Sequence, residues 1–387
     1  MTKSEKHQTI ALCMIVKNEA TVITRAFDSV KNFVDYYCIC DTGSSDGTQD
    51  TIRDYFKEHN LSGEVYNREW VDFAHNRTEA FEFAKGHCDY LMTLDADEVI
   101  APLVDDHPLL THKVDELPKF EGDRIDIKTK YDELYYTRTQ FYKDGWSWKW
   151  HWPVHEICQH PHKDGTPVSQ TIKNMCNIPT NEGARAKYPQ RYKKDALVLE
   201  RWLVDNPKDA RAWFYLAQSY RDAREPAKGL DSLDKCIEFS QWDEEIWACK
   251  LRQARYRVEG GHDPSSVTAY YLDAYNFRPS RAEPLHDLLS YYRYSGRFVL
   301  GVMLGEIALS IPMSKDILFV EEEIYRWKIK DELSICYYWT NQFKKARKLM
   351  KQILRNKKLQ ISEEHRDRII KNVEFCDTAL AKQKSQT

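Results

Sequence analysis

The sequence predicts an α/β domain followed by an all-α domain of helical repeats. Three observations carry that prediction. Strand and helix patterns alternate over residues 8–100, one stretch recurs three times between 216 and 346, and acidic residues fall where predicted strands end.

The alternation runs in order. "TIALCMIV" is β-branched and apolar, a buried strand. "EATVITRAFDSVKNFV" sets Val22, Ala26, Phe27, Val30 and Val34 at helical spacing. "DYYCIC" reads as a second strand, "DGTQDTIRDYFKEHN" as a second helix, "GEVYNREW" as a third strand, "FAHNRTEAFEFAKGH" as a third helix and "DYLMTLDA" as a fourth strand. Short turns between such elements imply a parallel sheet covered by helices, and such sheets bind ligands at the carboxyl ends of their strands.

Residues 101–125 carry no recognisable motif. Residues 123–160 lose the helical period and become rich in Tyr, Trp and Thr, which predicts strands and a hairpin turning at Lys143–Asp144–Gly145. Trp146, Trp148, Trp150 and Trp152 alternate there and share one face of a strand, as core or as a platform for a sugar ring.

From about residue 188 the pattern is helical. "LAQSYRDAREPAKG" (216–229), "LLSYYRYSGRFVLG" (288–301) and "LSICYYWTNQFKKA" (333–346) align without gaps, each opening on Leu, with Tyr fifth and a small residue last: Gly229, Gly301, Ala346. The first two copies start at 216 and 288, about two periods of a ~34-residue helix-turn-helix repeat. A small residue at that place lets two helices approach closely. This half resembles tetratricopeptide (TPR) repeats in degenerate form. A weaker copy surrounds "IWACKLRQARYRVEGG", where Gly260–Gly261 ends a helix. The domains are expected at 1–182 and 183–387.

Composition narrows the class. A net charge of −3 over 387 residues gives no global basic surplus, so nucleic acid and anionic membrane are not indicated. The apolar stretch Ile10–Val16 is short for a signal-peptide core, and no run approaches the ~18–20 apolar residues of a membrane span. Ten cysteines without a CxxC pair read as buried free thiols in a reducing compartment, and the expected location is cytoplasmic.

Two stretches suggest chemistry. Asp41 closes the second strand and is followed by a Gly- and Ser-rich turn, in which Ser44, Ser45 or Asp46 could cap the next helix. Asp95 and Asp97 stand two apart at the end of the fourth strand, so extended backbone turns both to one side. Two such carboxylates can hold a divalent cation while a diphosphate supplies further oxygens.

"CMIVKNEA", "DTGSSDGT", "WVDFAHNRTEA", "LDADE" and "WHWPVHE" occur in that order. Together they resemble the family 2 glycosyltransferases of GT-A fold, a Rossmann-like nucleotide-diphospho-sugar transferase fold. The likeness is strongest to the branch related to lipopolysaccharide-core enzymes, some of which carry C-terminal TPR repeats. The resemblance implies a hexosyltransferase-type enzyme using a nucleotide-diphosphate sugar, UDP-linked by preference, with Mn²⁺ or Mg²⁺. It implies that Asp41 bonds the nucleobase, with Val16, Asn18 and Glu19 lining the same pocket. Asp95 meets the ribose or the metal, Asp97 ligates the metal, and Arg77 sits near phosphate. His155 is the implied third metal ligand, and Glu156 the implied general base, with Glu98 and Asp132 as rivals. The chain departs from the family in having Asp41–Thr42 before "GS", where two acids are common, and Thr78 after Arg77, where Asn is usual.

Adjacent residues on a strand face opposite ways, so His155 and Glu156 share a site only if a bulge or turn intervenes. A zinc set of His151, His155, Cys158, His160 and His162 has no familiar spacing. The acceptor is a glycan, peptide, protein or other macromolecule, and the repeats offer it, or a second copy of the chain, an extended surface. The alternative is a repeat scaffold whose transferase domain has decayed to a binder. A nucleotidyltransferase is disfavoured, because "VKNEATV" after the first strand has no glycine-rich phosphate loop.

Overall fold

The computed structural model describes residues 8–104, 107–131, 134–160, 165–357, 359 and 361–385. The chain divides into two compact units, Met1–Leu199 and Glu200–Thr387. Residues 183–199 therefore lie in the first unit.

In the first unit β1 (Ile10–Val16), α1 (Ile23–Val30), β2 (Tyr36–Asp41), α2 (Thr48–Glu58), β3 (Gly63–Asn67), α3 (Phe73–Ala84) and β4 (Tyr90–Thr93) follow the expected alternation. The four strands lie parallel in the order β3-β2-β1-β4. Helices cover both faces, which is why β1 is apolar throughout. Ile10, Leu12 and Met14 pack with Phe27, Ile52 and Phe56 on one face, and Ala11 and Cys13 with Phe81 and Trp150 on the other.

The sheet continues with mixed pairing. β5 (Glu98–Val104), β6 (His107–Pro108), β7 (Arg124–Tyr131), β8 (Leu134–Lys143) and β11 (Ser169–Pro179) complete nine strands in the order β3-β2-β1-β4-β8-β7-β11-β5-β6. β9 (Lys149–His151) and β10 (Ile157–Gln159) form a separate pair. The turn at Asp144–Gly145 ends β8 but is not the hairpin turn expected: β8 pairs with β7 and β4, and β9 with β10. The tryptophans do not share one strand either, since only residues 149–151 are extended. Trp148 and Trp150 are core, packed with Tyr142 and Phe81, while Trp152 leaves the strand at φ 71°.

The division between units falls within α4 (Arg191–Asp205). Beyond it come α5 (Ala210–Asp222), α6 (Pro226–Phe239), α7 (Asp243–Glu259), α8 (Pro264–Phe277), α9 (Glu283–Tyr294), α10 (Phe298–Ser310), α11 (Ile329–Trp339), α12 (Phe343–Arg355) and α13 (Glu363–Ser385). A π-helical turn, Ile324–Lys328, leads into α11. The three repeat copies are the pairs α5–α6, α9–α10 and α11–α12. Their leading leucines are buried, and their small residues sit at the closest helix contacts. A Cβ on Gly229 would come within 2.9 Å of the Tyr256 ring, and one on Gly301 within 2.7 Å of Cys336 Sγ. Among the described residues no helix is long and apolar enough to cross a membrane.

Candidate active site

Parallel strands bring the signature residues to one edge. Asp41, the last residue of β2, pairs in register with Val16, the last of β1. Asp41 is wholly buried, and its Oδ1 accepts from the backbone N–H of Gly43 (3.0 Å) and Ser44 (2.9 Å) and from Gln49 Nε2 (3.1 Å). Its Oδ2 is buried with no hydrogen-bond partner among the described residues.

Asn18, at φ 59°, ties the β1 loop to this turn: its N–H donates to Ser44 Oγ (2.8 Å) and its Oδ1 accepts from Ser45 N–H (2.8 Å). Asp46 receives the N–H of Thr48 at the start of α2 and the N–H of Ala20. None of the three capping candidates is the cap itself: the N-cap of α2 is Gly47, with no side-chain cap hydrogen bond. Gly47 precedes the helix at φ 89°, a conformation costly for other residues.

Arg77 of α3 joins three motifs. Its Nη2 donates to Asp95 Oδ1 (2.5 Å), its Nε to Glu156 Oε1 (2.6 Å) and its Nη1 to Thr93 Oγ1 (3.1 Å). The guanidinium lies over the Trp150 ring at 5.3 Å. Burial works against its charge, but Asp95 and Glu156 outweigh burial and hold it firmly protonated. Burial likewise works to raise the Asp95 carboxyl, yet Arg77, with Arg138 and Arg185, keeps it below the ordinary carboxylate range. Arg77 thus sits against the carboxylates of two motifs.

Asp97 has a different environment. Burial, with Asp95 and Glu98 adding to it, raises its carboxyl. Its Oδ2 accepts from Gly183 N–H (3.1 Å), and its carbonyl accepts from Thr180 N–H (2.9 Å) and Oγ1 (2.7 Å). The segment after β11 therefore folds back onto the acidic pair. Ala184 N–H reaches both oxygens of Glu19 at 3.2 Å. Burial, opposed by that bond and reinforced by Asp97, Asp46 and Asp95, pushes Glu19 up to about 7. A Cβ on Gly183 would stand 2.9 Å from Asp97 Oδ2 and 3.3 Å from Glu19 Oε1, so only glycine fits without a shift. The sequence reading missed this strap. "NIPTNEGARA" has no helical or strand period, and its glycine was the one available signal.

Glu98 is 3% exposed, and both its oxygens are taken by Arg138, at 2.9 and 2.7 Å; it also accepts from Asp95 N–H. Glu98 therefore braces the loop. Its rival Asp132 lies outside the described residues. A turn does intervene at His155, whose φ is 55°, but it leaves His155 exposed while Glu156 turns inward. Among the described residues no three His, Cys, Asp or Glu side chains gather as a metal site. The His155 expectation is the one that changes. His155 does not complete a ligand set with Asp95 and Asp97, because Arg77 holds Asp95 and the turn carries the imidazole outward. Nor do His151, His155, Cys158 and His160 form a zinc set, and His162 lies outside the described residues.

A mixed sheet whose parallel half ends in Asp41, with the Asp-Ala-Asp pair in the turn past Thr93 and not on extended strand as expected, has the form of a GT-A type domain. Residues 11–156 match the family model for glycosyl transferase family 2; they carry most of the mixed sheet, and TPR-like helix pairs follow. The chain is 24% identical over 212 residues to a TPR repeat-containing protein of Synechococcus elongatus, covering 52% of this chain and 49% of that one. It is 32% identical over 99 residues to an uncharacterized glycosyltransferase of Rickettsia felis, covering 25% and 31%. A solved structure, the C-terminal part of a TPR repeat-containing protein of Cytophaga hutchinsonii, is similar at a TM-score of 0.36 and 16% identity, over 44% of this chain and 61% of that one. The chain thus spans about half or less of the curated relatives it matches.

Proposed function

We propose that the first unit is a cation-dependent glycosyltransferase that moves a sugar from a nucleoside-diphosphate donor, UDP-linked by preference, to an acceptor hydroxyl with inversion. The observation that carries this reading is Asp41 Oδ2. A buried carboxylate oxygen without a partner is costly, and a nucleobase N–H, such as that of uracil, satisfies it. Val16 and Asn18 line the same strand ends.

The residues fit a divalent cation. Asp97 and Glu19 are half-buried acids, each raised by burial and by acidic neighbours, with Asp97 among those of Glu19, and a cation relieves that charge. Asp97 is the proposed protein ligand for Mn²⁺ or Mg²⁺, with diphosphate oxygens completing the set. When bound, the ion neutralises charge developing on the leaving diphosphate. Asp95, fixed by Arg77, faces the ribose. Glu156, oriented by the same guanidinium, takes the acceptor's proton. Glu98 keeps a bracing role in Arg138's fork. The acceptor is a peptide, protein, glycan or other macromolecule; self-association through the repeats is the competing use of the helical unit.

Incubating the full chain with a panel of nucleotide sugars and Mn²⁺ tests the reading. Slow release of nucleoside diphosphate from one donor supports it. Tight nucleotide binding with no turnover of any donor, with or without candidate acceptors, supports the scaffold alternative instead.

A further inference from the structure

The net charge of −3 hides a local imbalance in the second unit. Residues 333–362 carry eight Lys and Arg and no Asp or Glu. Six of the eight lie on α12. Two of these six are paired: Lys345 with Glu306 of α10 (3.1 Å) and Arg347 with Asp377 of α13 (2.5 Å). The other four, Lys344, Lys348, Lys351 and Arg355, recur at helical spacing on the side opposite the buried Ala346, Leu349 and Ile353. No carboxylate pairs with them among the described residues.

α10 has the converse surface. "FVLGVMLGEIALS" holds one charge, Glu306, and its buried residues are the small ones, Gly301, Gly305 and Ala308. A helix apolar all round is normally covered all round. Here Val299, Leu300, Met303 and Ile307 point outward, at 67, 40, 58 and 45% exposure. Trp339, stacked on Phe298 at the start of the same helix, is 60% exposed.

One ion pair fixes how the two surfaces lie. By helical spacing, Glu306 falls at one edge of the outward stripe of α10, and Lys345 at one edge of the basic row of α12. The Lys345–Glu306 bond joins those edges, so the apolar stripe and the basic row are neighbours on one side of the helical unit. Tyr337 of α11 donates to the same Glu306 (2.5 Å) and holds the junction from within.

We infer that this side of the helical unit, α10 beside α12, docks on an anionic bilayer surface. At such a surface, apolar side chains sink below the headgroups while Lys and Arg meet the lipid phosphates. The long basic stems reach the headgroup level while their methylenes lie along the apolar stripe. A soluble polyanion engages the basic row and leaves the stripe in water. A protein covering the stripe leaves the four cations unmatched. Only an anionic lipid surface uses both rows. The inference rests on the helical unit alone and stands or falls separately from the transferase reading.

The test is flotation of the full chain with vesicles of phosphatidylcholine and phosphatidylglycerol, beside vesicles of phosphatidylcholine alone. The wild type should float with the anionic vesicles and not with the neutral ones, and added salt should release it. Lys344→Gln/Lys348→Gln/Lys351→Gln should weaken the binding about tenfold or more. Met303→Ser/Ile307→Ser keeps every cation and should weaken it by a similar factor. None of the five side chains is buried, so both variants keep the fold, which circular dichroism checks. A wild type that stays off the anionic vesicles overturns the inference, and so does binding that either folded variant leaves unchanged. Binding to heparin without binding to vesicles makes the basic row a site for a soluble polyanion and overturns it too. So does a wild type that is dimeric by light scattering and becomes monomeric in Met303→Ser/Ile307→Ser while never floating, since the stripe is then a contact between copies.

Discussion

Arg77 Nη2 and Asp95 Oδ1 stand 2.5 Å apart, and the same guanidinium reaches Glu156 at 2.6 Å. The first acid of the Asp-Ala-Asp pair is thus held by Arg77, and the second makes no arginine bond among the described residues. Two residues that look equivalent in sequence carry opposite ionisation biases: Asp95 is driven down and Asp97 up.

Arg77→Ala leaves two carboxylates facing a buried gap. Breaking one side of such a buried pair costs about 3–5 kcal/mol. Urea denaturation should show a loss of that order. Arg77→Lys should not restore it, because one ammonium cannot replace a fork that reaches three partners. A loss below about 1 kcal/mol would mean that the cluster is effectively solvated.

Asp97→Asn should abolish transfer while keeping the melting temperature at or above that of the wild type, since it removes a charge that burial already disfavours. Chelation with EDTA should stop the wild-type enzyme. Full activity in excess chelator would sink the cation assignment.

Gly183→Ala tests the strap. The added methyl meets flexible carboxylate ends, so it should cost little stability while displacing Asp97 and Glu19. Donor hydrolysis should fall about tenfold or more, as small misplacements in an active site do. Unchanged hydrolysis would make the strap a bystander.

Glu19 gives the fold a pH signature. Its folded value of about 7 lies above the ordinary 4.5, so the native state binds the proton more tightly than the unfolded chain. That contribution is fully present below about pH 4.5 and is lost as pH rises through 7. Glu19→Gln should remove this decline, leaving the variant about 1–2 kcal/mol more stable relative to wild type at pH 8 than at pH 5. Parallel pH curves for the two proteins would contradict it.

The parallel half of the sheet was legible because β1, β2 and β4 are buried on both faces and so read as continuous apolar runs. The repeats were legible because Gly229, Gly301 and Ala346 recur at one place in each helix pair. Other features left no periodic trace. β11 inserts between β7 and β5 from a distance in sequence, with a register shift between Ile172 and Cys176. The expected boundary at 182 would cut one residue before Gly183 and so remove the donors to Asp97 and Glu19. Residues 314–323 also lie against α5, α7 and α9. That contact joins residues of opposite charge far apart in the chain, which no local pattern records.

The central claim is that the buried end of β2 reads a nucleotide. Calorimetry of UDP binding to the full chain with Mn²⁺, beside the Asp41→Ala variant, tests it most directly. The account predicts binding by the wild type and a loss of about 1.5–3 kcal/mol in the variant, the range for a charge-assisted hydrogen bond. Equal affinity of the two proteins for UDP, with both folded, would contradict it and return Asp41 to the role of a turn residue.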